Sequence, residues 1–137
     1  MTLAELRIDV IVLTCAVSAG IHAALVRDHF GEGTGAGVGF VAATVLLALL
    51  AVILTRRPSQ LALVATILVF AGLIASYALV VTTGMPVLHP DVEAVSGLAL
   101  FTKAVEALGL ITAASLVRPP SLPTIARPKP QPKGTLS

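Results

Sequence analysis

The residues of this chain that could do chemistry are a few polar side chains set within long apolar segments. His22 lies in the first segment, Tyr77 in the third, and Lys103 and Glu106 in the fourth. Lys103 and Glu106 are three residues apart and therefore share one face of a helix. Ionisable groups in such segments are costly to bury and mark candidate functional sites. These four residues are the predicted site for a proton, a cation or a polar ligand head, and the alternative is internal pairing that holds helices together.

A second group of side chains with metal-ligating chemistry lies near the connections between the predicted helices. Imidazole nitrogens and carboxylate oxygens suit zinc, copper(II) or nickel, but their spacing here is less specific than paired CxxC motifs. Carboxylates beside a proline are also typical of a solvated turn, and those that precede the fourth helix could instead cap it. The candidate metal ligands are His29, Glu32, His89, Asp91 and Glu93.

Sequence signatures of catalysis and of nucleic-acid binding are missing. The chain holds no GxSxG, HExxH or GxxxxGK[ST] motif, and its one cysteine, Cys15, leaves no disulfide or CxxC pair within the chain. With no tryptophan and one tyrosine, a base-stacking surface is not expected despite the net charge of +2. The sequence therefore predicts a non-enzyme with no nucleic-acid partner and no cofactor apart from the divalent metal considered above.

The composition indicates that lipid surrounds the helices that must position these residues. The 137-residue chain is 56% hydrophobic and 12% charged, whereas soluble domains carry about 25% charged residues. A helix that crosses the hydrocarbon layer needs roughly 20 apolar residues, and lipid satisfies no free backbone groups. The predicted fold is therefore all-α, a four-transmembrane-helix bundle within residues 1–117. Its helices are expected at about 8–26, 38–55, 61–83 and 97–117.

Glycine and basic residues predict how these helices are connected and oriented. The glycine-rich run at 31–39 is expected to be a flexible loop that leads into the second helix, with Gly35 and Gly39 allowing close packing. Short connections rich in Lys and Arg stay in the cytoplasm, and Arg7, Arg56 and Arg57 lie at one end of the predicted bundle. The expected topology is N-in and C-in, in the inner (plasma) membrane of a bacterial cell.

A separate tail follows the bundle at residues 118–137. It contains six of the nine prolines and four basic residues, so it can neither form a helix nor bury a core. Such a composition is typical of an extended cytoplasmic segment held near anionic lipid. The alternative is a segment that docks on a protein partner.

One stretch of the first helix carries a resemblance to other proteins. Residues 19–30 read AGIHAALVRDHF, and a Gly-Met-Pro turn at 84–86 precedes the fourth helix with its acidic Glu106. These features resemble a group of uncharacterised small bacterial four-span integral membrane proteins whose first helix has two histidines in this spacing. The resemblance covers about half of the chain. It implies a membrane role for the end that holds His22 and His29, and it implies no particular activity.

The sequence favours a non-catalytic function within the membrane. Ala16, Gly20 and Ala24 recur every fourth residue on the first helix, a pattern that lets another helix approach closely. The leading hypothesis is an accessory or assembly subunit of a larger membrane complex, in contact with other subunits or a second copy through these residues. The alternative is binding or transport of a cation, a proton or a small ligand through an outward-facing His, Glu and Lys cluster.

Overall fold

The computed structural model describes residues 1–84, 92 and 94–117. All regular structure in these ranges is helical, and four helices are formed. The all-α four-helix fold predicted from the sequence is therefore confirmed. The predicted tail at 118–137 lies outside the described residues. The helices, in chain order, are α1 (Leu3–Glu32), α2 (Thr34–Arg56), α3 (Gln60–Thr82) and α4 (Gly97–Ala114).

Short polar side chains set the points at which three of the helices begin. Thr2 and Glu5 form a capping box at the start of α1, in which each side chain bonds the backbone N–H of the other. The hydroxyl groups of Ser59 and Ser96 accept backbone N–H groups in the first turns of α3 and α4. These bonds satisfy amide groups that have no partner within the helix.

A single residue, Gly33, joins α1 to α2, so the flexible loop expected at 31–39 is not formed. Helical hydrogen bonding continues up to this residue, whose N–H donates to the carbonyl of His29 at 3.1 Å. The two helices then approach closely, because a Cβ atom on Gly37 would lie 2.3 Å from Cγ of Phe30. Gly37 therefore serves helix packing at the start of α2, whereas a Cβ atom on Gly39 would meet no heavy atom of the described residues within 4 Å. The helix α1 is correspondingly longer than the predicted segment 8–26.

The helices form an up-and-down ring in which each packs against its two neighbours. All four are long and apolar enough to cross a membrane. Many of their large apolar side chains point outward; Leu13 is 63% exposed, Leu68 is 67% exposed and Ile111 is 68% exposed. An exterior of this kind suits a lipid environment better than water. The interior is filled mainly by Ile11, Cys15, Leu47, Leu54, Phe70 and Ala113.

Gly109 fixes the position of α4 against the rest of the bundle. A Cβ atom at this residue would lie 2.4 Å from Cε2 of Phe70 on α3 and 2.5 Å from Oγ1 of Thr14 on α1. Three helices therefore meet at a point where only a hydrogen atom fits. Glu106 lies one turn earlier on α4 and Ser18 one turn later on α1, so this close contact also brings these two residues together.

Candidate functional site

Glu106 lies at the centre of a buried polar cluster. Its side chain is 0% exposed and receives hydrogen bonds on both oxygens. The Ser18 hydroxyl donates to Oε1 at 2.9 Å, and the Lys103 ammonium donates to Oε2 at 2.5 Å. Nε2 of His22 lies 3.9 Å from Oε1. A buried carboxylate is tolerated when it is paired and its remaining lone pairs are used, and this one is held by groups from α1 and α4.

Lys103 connects the same cluster to α3. Its Nζ atom also donates to the backbone carbonyl of Leu73 at 3.4 Å. The ammonium group lies 5.5 Å from the centre of the Tyr77 ring, within the range of a cation–π contact. The Lys103–Glu106 ion pair therefore ties α4 to both α1 and α3, as the pairing alternative drawn from the sequence anticipated.

Two histidines of α1 adopt the same hydrogen-bonding arrangement. Nδ1 of His22 lies 2.9 Å from the carbonyl of Ser18, and Nδ1 of His29 lies 3.0 Å from the carbonyl of Leu25. A carbonyl oxygen can only accept, so each Nδ1 carries the hydrogen atom. Nε2 of each ring lies near a carboxylate, at 3.9 Å from Oε1 of Glu106 for His22 and at 3.8 Å from Oε2 of Glu32 for His29. Both residues are buried, at 6% and 7% exposure.

The ring of Phe40 on α2 packs against both imidazoles. Its centre lies 3.5 Å from that of His29, with an angle of 23° between the planes, and 5.1 Å from that of His22. The two histidines, which are seven residues apart in sequence, therefore share one aromatic neighbour. Their side-chain directions are fixed on one side by backbone carbonyls and on the other by this ring.

These side chains line an open cavity of about 280 Å³, to which all four helices contribute residues, near the Gly33 connection. Lys103 separates it from Glu106, which lies deeper in the bundle and is not itself a lining residue. Most of the lining is apolar. Its polar residues are His22, His29, Ser76, Tyr77, Ser96, Thr102 and Lys103.

The Tyr77 hydroxyl is the unusual group in this lining. It is buried, and no hydrogen-bond partner for it exists among the described residues. Buried hydroxyl groups almost always have a partner, because an unmade hydrogen bond costs about 1–3 kcal/mol. The Tyr77 hydroxyl is the one buried side-chain polar group of the described residues that lacks a partner.

The structure brings together part of what the sequence singled out. His22, Tyr77 and Lys103 line one cavity with Glu106 directly behind them, and His29 joins them although it was assigned to a loop metal site. Its Nε2 lies 3.8 Å from Oε2 of Glu32, but the described residues contain no group of three or more metal ligands. The other predicted ligands, His89, Asp91 and Glu93, lie outside the described residues, so the metal site stays a prediction.

Two contributors to the site were not found from the sequence. Phe40 is one apolar residue among many in α2, and its role depends on the one-residue connection at Gly33. Ser18 is the other: its hydroxyl bonds Glu106 across 88 positions of sequence and also lies 3.4 Å from Nδ1 of His22. Ser18 shares one face of α1 with Thr14 and His22, but this spacing does not identify the helix that packs against it.

The chain matches no protein-family model, no curated protein and no solved structure. The fold and the site assign the protein to a structural class. It is a bundle of four helices, each of membrane-spanning length, around a buried ion pair and an adjoining cavity.

Proposed function

We propose that this chain is a multi-pass membrane protein that binds a small molecule in the cavity between its four helices. The observation that carries the proposal is the cavity itself, whose mostly apolar lining also holds two histidines, Lys103 and Tyr77 with its unpartnered hydroxyl. A ligand with an apolar body and a polar head complements such a surface. Its volume of about 280 Å³ is just below the roughly 300–1,000 Å³ of most small-molecule sites, so the ligand is small.

The buried ion pair supports binding by keeping the site rigid and electrically balanced. Glu106 and Lys103 neutralise each other and link α1, α3 and α4. The histidine side chains on α1 are held by backbone bonds, so they need not reorganise when a ligand arrives. Preorganised groups of this kind reduce the entropy cost of binding.

Charge distribution supports an orientation with the cavity facing away from the cytoplasm. Arg7, Arg56 and Arg57 lie at the opposite end of the bundle, whereas Asp28 and Glu32 lie at the cavity end. By the positive-inside rule the arginine end is cytoplasmic, which gives the N-in, C-in topology in the inner (plasma) membrane. The basic tail at 118–137 would then meet anionic lipid or a partner on the cytoplasmic side.

A planar probe with one polar group tests the proposal. The protein in lipid nanodiscs is titrated with 2-naphthol, whose fluorescence meets little background because the chain has no tryptophan. Empty nanodiscs correct for partitioning into lipid. We expect saturable binding to the parent and at least tenfold weaker binding to Gly39→Leu, which places a side chain at the cavity lining.

The matched control is Gly72→Leu on α3. At both glycines a Cβ atom would meet no heavy atom of the described residues within 4 Å, but Gly72 does not line the cavity. This variant should bind like the parent. Equal binding by the two variants, or no saturable binding to the parent, would contradict the proposal.

A second candidate function, an accessory subunit, is supported by a different surface. Ala16, Gly20 and Ala24 are exposed on α1, and a Cβ atom on Gly20 would contact nothing within 4 Å among the described residues. This face is therefore open to another subunit or a second copy. Native mass spectrometry after mild extraction should detect a partner subunit or a dimer. The Gly20→Leu variant should no longer form this complex, whereas the Gly72→Leu variant should still form it. A parent protein that is monomeric and alone would contradict this candidate.

A further inference from the structure

We infer that the ligand of this cavity is an uncharged apolar molecule whose polar head is a carbonyl group, and that this group accepts a hydrogen bond from Lys103. The inference rests on the proposed function and names the chemical class of the ligand. It is carried by the unused donor of Lys103, by the protein groups that face both histidines of the lining, and by the balanced charge of the buried ion pair.

Lys103 has one hydrogen-bond donor that the described residues do not use. An ammonium group has three N–H donors, and two of them are used for Oε2 of Glu106 and for the carbonyl of Leu73. The Tyr77 ring, whose centre lies 5.5 Å from Nζ, contributes a cation–π contact but no acceptor atom. The Lys103 side chain lines the cavity and is 17% exposed, whereas that of Glu106 is 0% exposed and lies outside the lining. The third N–H of Lys103 is therefore the donor available to a molecule in the cavity.

The two histidines of the lining already face protein groups on both sides of their rings. Nδ1 of each ring donates to a backbone carbonyl of α1. Nε2 of His22 lies 3.9 Å from Oε1 of Glu106. Nε2 of His29 lies 3.8 Å from Oε2 of Glu32. Because every imidazole nitrogen is near an oxygen of the protein, recognition of the ligand head is assigned to Lys103.

The charge balance of the site favours an uncharged ligand. The Lys103 ammonium is paired with the Glu106 carboxylate, so their two formal charges cancel. An anionic ligand would add a negative charge beside this pair in a mostly apolar lining, and a buried charge without a counter-ion is costly. A carbonyl oxygen accepts a hydrogen bond without a formal charge, whereas a hydroxyl group would bring a donor that needs an acceptor of its own. A ketone or a related carbonyl compound therefore complements the site.

Three probes of equal size test the inference. Acetophenone, α-methylstyrene and benzoate have the same ring and the same number of heavy atoms, and carry a carbonyl, a hydrocarbon and a carboxylate head, respectively. Each displaces 2-naphthol from the protein in nanodiscs, and fluorescence gives its affinity after correction for partitioning into empty nanodiscs. We expect acetophenone to bind about tenfold more tightly than α-methylstyrene, which is the low end of the effect of a hydrogen bond to a charged group. Benzoate should also bind more weakly than acetophenone.

Two variants assign the preference to Lys103 and to the charge balance. The double variant Glu106→Gln with Lys103→Met removes the ion pair as a unit, so acetophenone should lose its advantage over α-methylstyrene. Glu106→Gln alone leaves the ammonium without its carboxylate, so benzoate should now bind more tightly than acetophenone. Circular dichroism verifies that each variant is folded. Infrared spectroscopy of the parent needs no variant: the carbonyl band of bound ¹³C-labelled acetophenone should lie at a lower frequency than in empty nanodiscs, because a donated hydrogen bond weakens the C=O bond.

The outcomes separate this inference from the proposed function. If 2-naphthol binds saturably but acetophenone displaces it no better than α-methylstyrene, the carbonyl assignment is overturned and cavity binding stays in place. Tighter binding of benzoate than of acetophenone to the parent would overturn the assignment of an uncharged ligand. A carbonyl preference that the folded double variant keeps, or an unshifted carbonyl band, would overturn the role of Lys103 as the donor. If 2-naphthol itself does not bind saturably, the proposed function fails.

Discussion

Gly109→Ala tests the three-helix contact that places the polar cluster. The added Cβ atom would lie 2.4 Å from Cε2 and 2.9 Å from Cζ of Phe70, and 2.5 Å from Oγ1 of Thr14. Ordinary carbon contacts are about 3.5–4.0 Å, so one of the neighbours must move by about 1 Å. Phe70 is 0% exposed and has no space to turn into. Overpacking of this kind costs typically 1–3 kcal/mol.

The change in the free energy of unfolding also includes a second effect of opposite sign. Replacing glycine by alanine inside a helix stabilises it by about 1 kcal/mol. Gly72→Ala isolates this gain, because its Cβ atom would meet no heavy atom of the described residues within 4 Å. We therefore expect Gly109→Ala to be about 2 kcal/mol less stable than Gly72→Ala, which is the middle of the overpacking range.

Reversible unfolding in mixed micelles, followed by circular dichroism as the denaturing detergent is increased, measures the free energies of both variants. Because Glu106 is one turn from Gly109, displacement of α4 should also weaken probe binding in the cavity. Equal stability of Gly109→Ala and Gly72→Ala would refute the close contact of α4 with α1 and α3.

The remaining predictions concern the ion pair and the sidedness of the bundle. Glu106→Gln should lower the free energy of unfolding by about 3 kcal/mol, because it leaves the Lys103 ammonium buried without its carboxylate. The double variant with Lys103→Met should recover most of this loss. Strictly additive effects of the two substitutions would contradict an interaction between Lys103 and Glu106. In intact cells, an impermeant thiol reagent should label Glu32→Cys and not Ala4→Cys, since the native Cys15 is buried and the two introduced positions lie at opposite ends of α1. The reverse labelling pattern would show that the cavity faces the cytoplasm.

The four-helix fold could be predicted because helix length and apolar composition suffice to define a segment that spans lipid. The first and last residues of α1 were less predictable than the fold. Hydropathy follows the apolar middle of the helix, whereas its first turn depends on the capping box of Thr2 and Glu5. At its other end, a glycine run that is typical of a loop includes Gly37, whose missing side chain allows close packing against Phe30.

The candidate site was predictable to the extent that its residues are chemically unusual for their surroundings. His22, Lys103 and Glu106 stand out in apolar helices, and the structure joins them through contacts of 2.5–3.9 Å. Phe40 and Gly109, by comparison, are chemically similar to the apolar residues around them. Their importance arises from which helices meet, and the sequence of a single helix does not contain that information.

The hydrogen-bonding state of the two imidazoles is measurable by ¹⁵N nuclear magnetic resonance on histidine-labelled protein in nanodiscs, with His22→Gln and His29→Gln used for assignment. We predict that Nδ1 carries the hydrogen atom that bonds the carbonyls of Ser18 and Leu25, and that saturating 2-naphthol shifts the signals of both rings because both line the cavity. Rings that carry the hydrogen atom on Nε2 alone, or ring signals that stay fixed at saturating 2-naphthol, would contradict binding in this cavity.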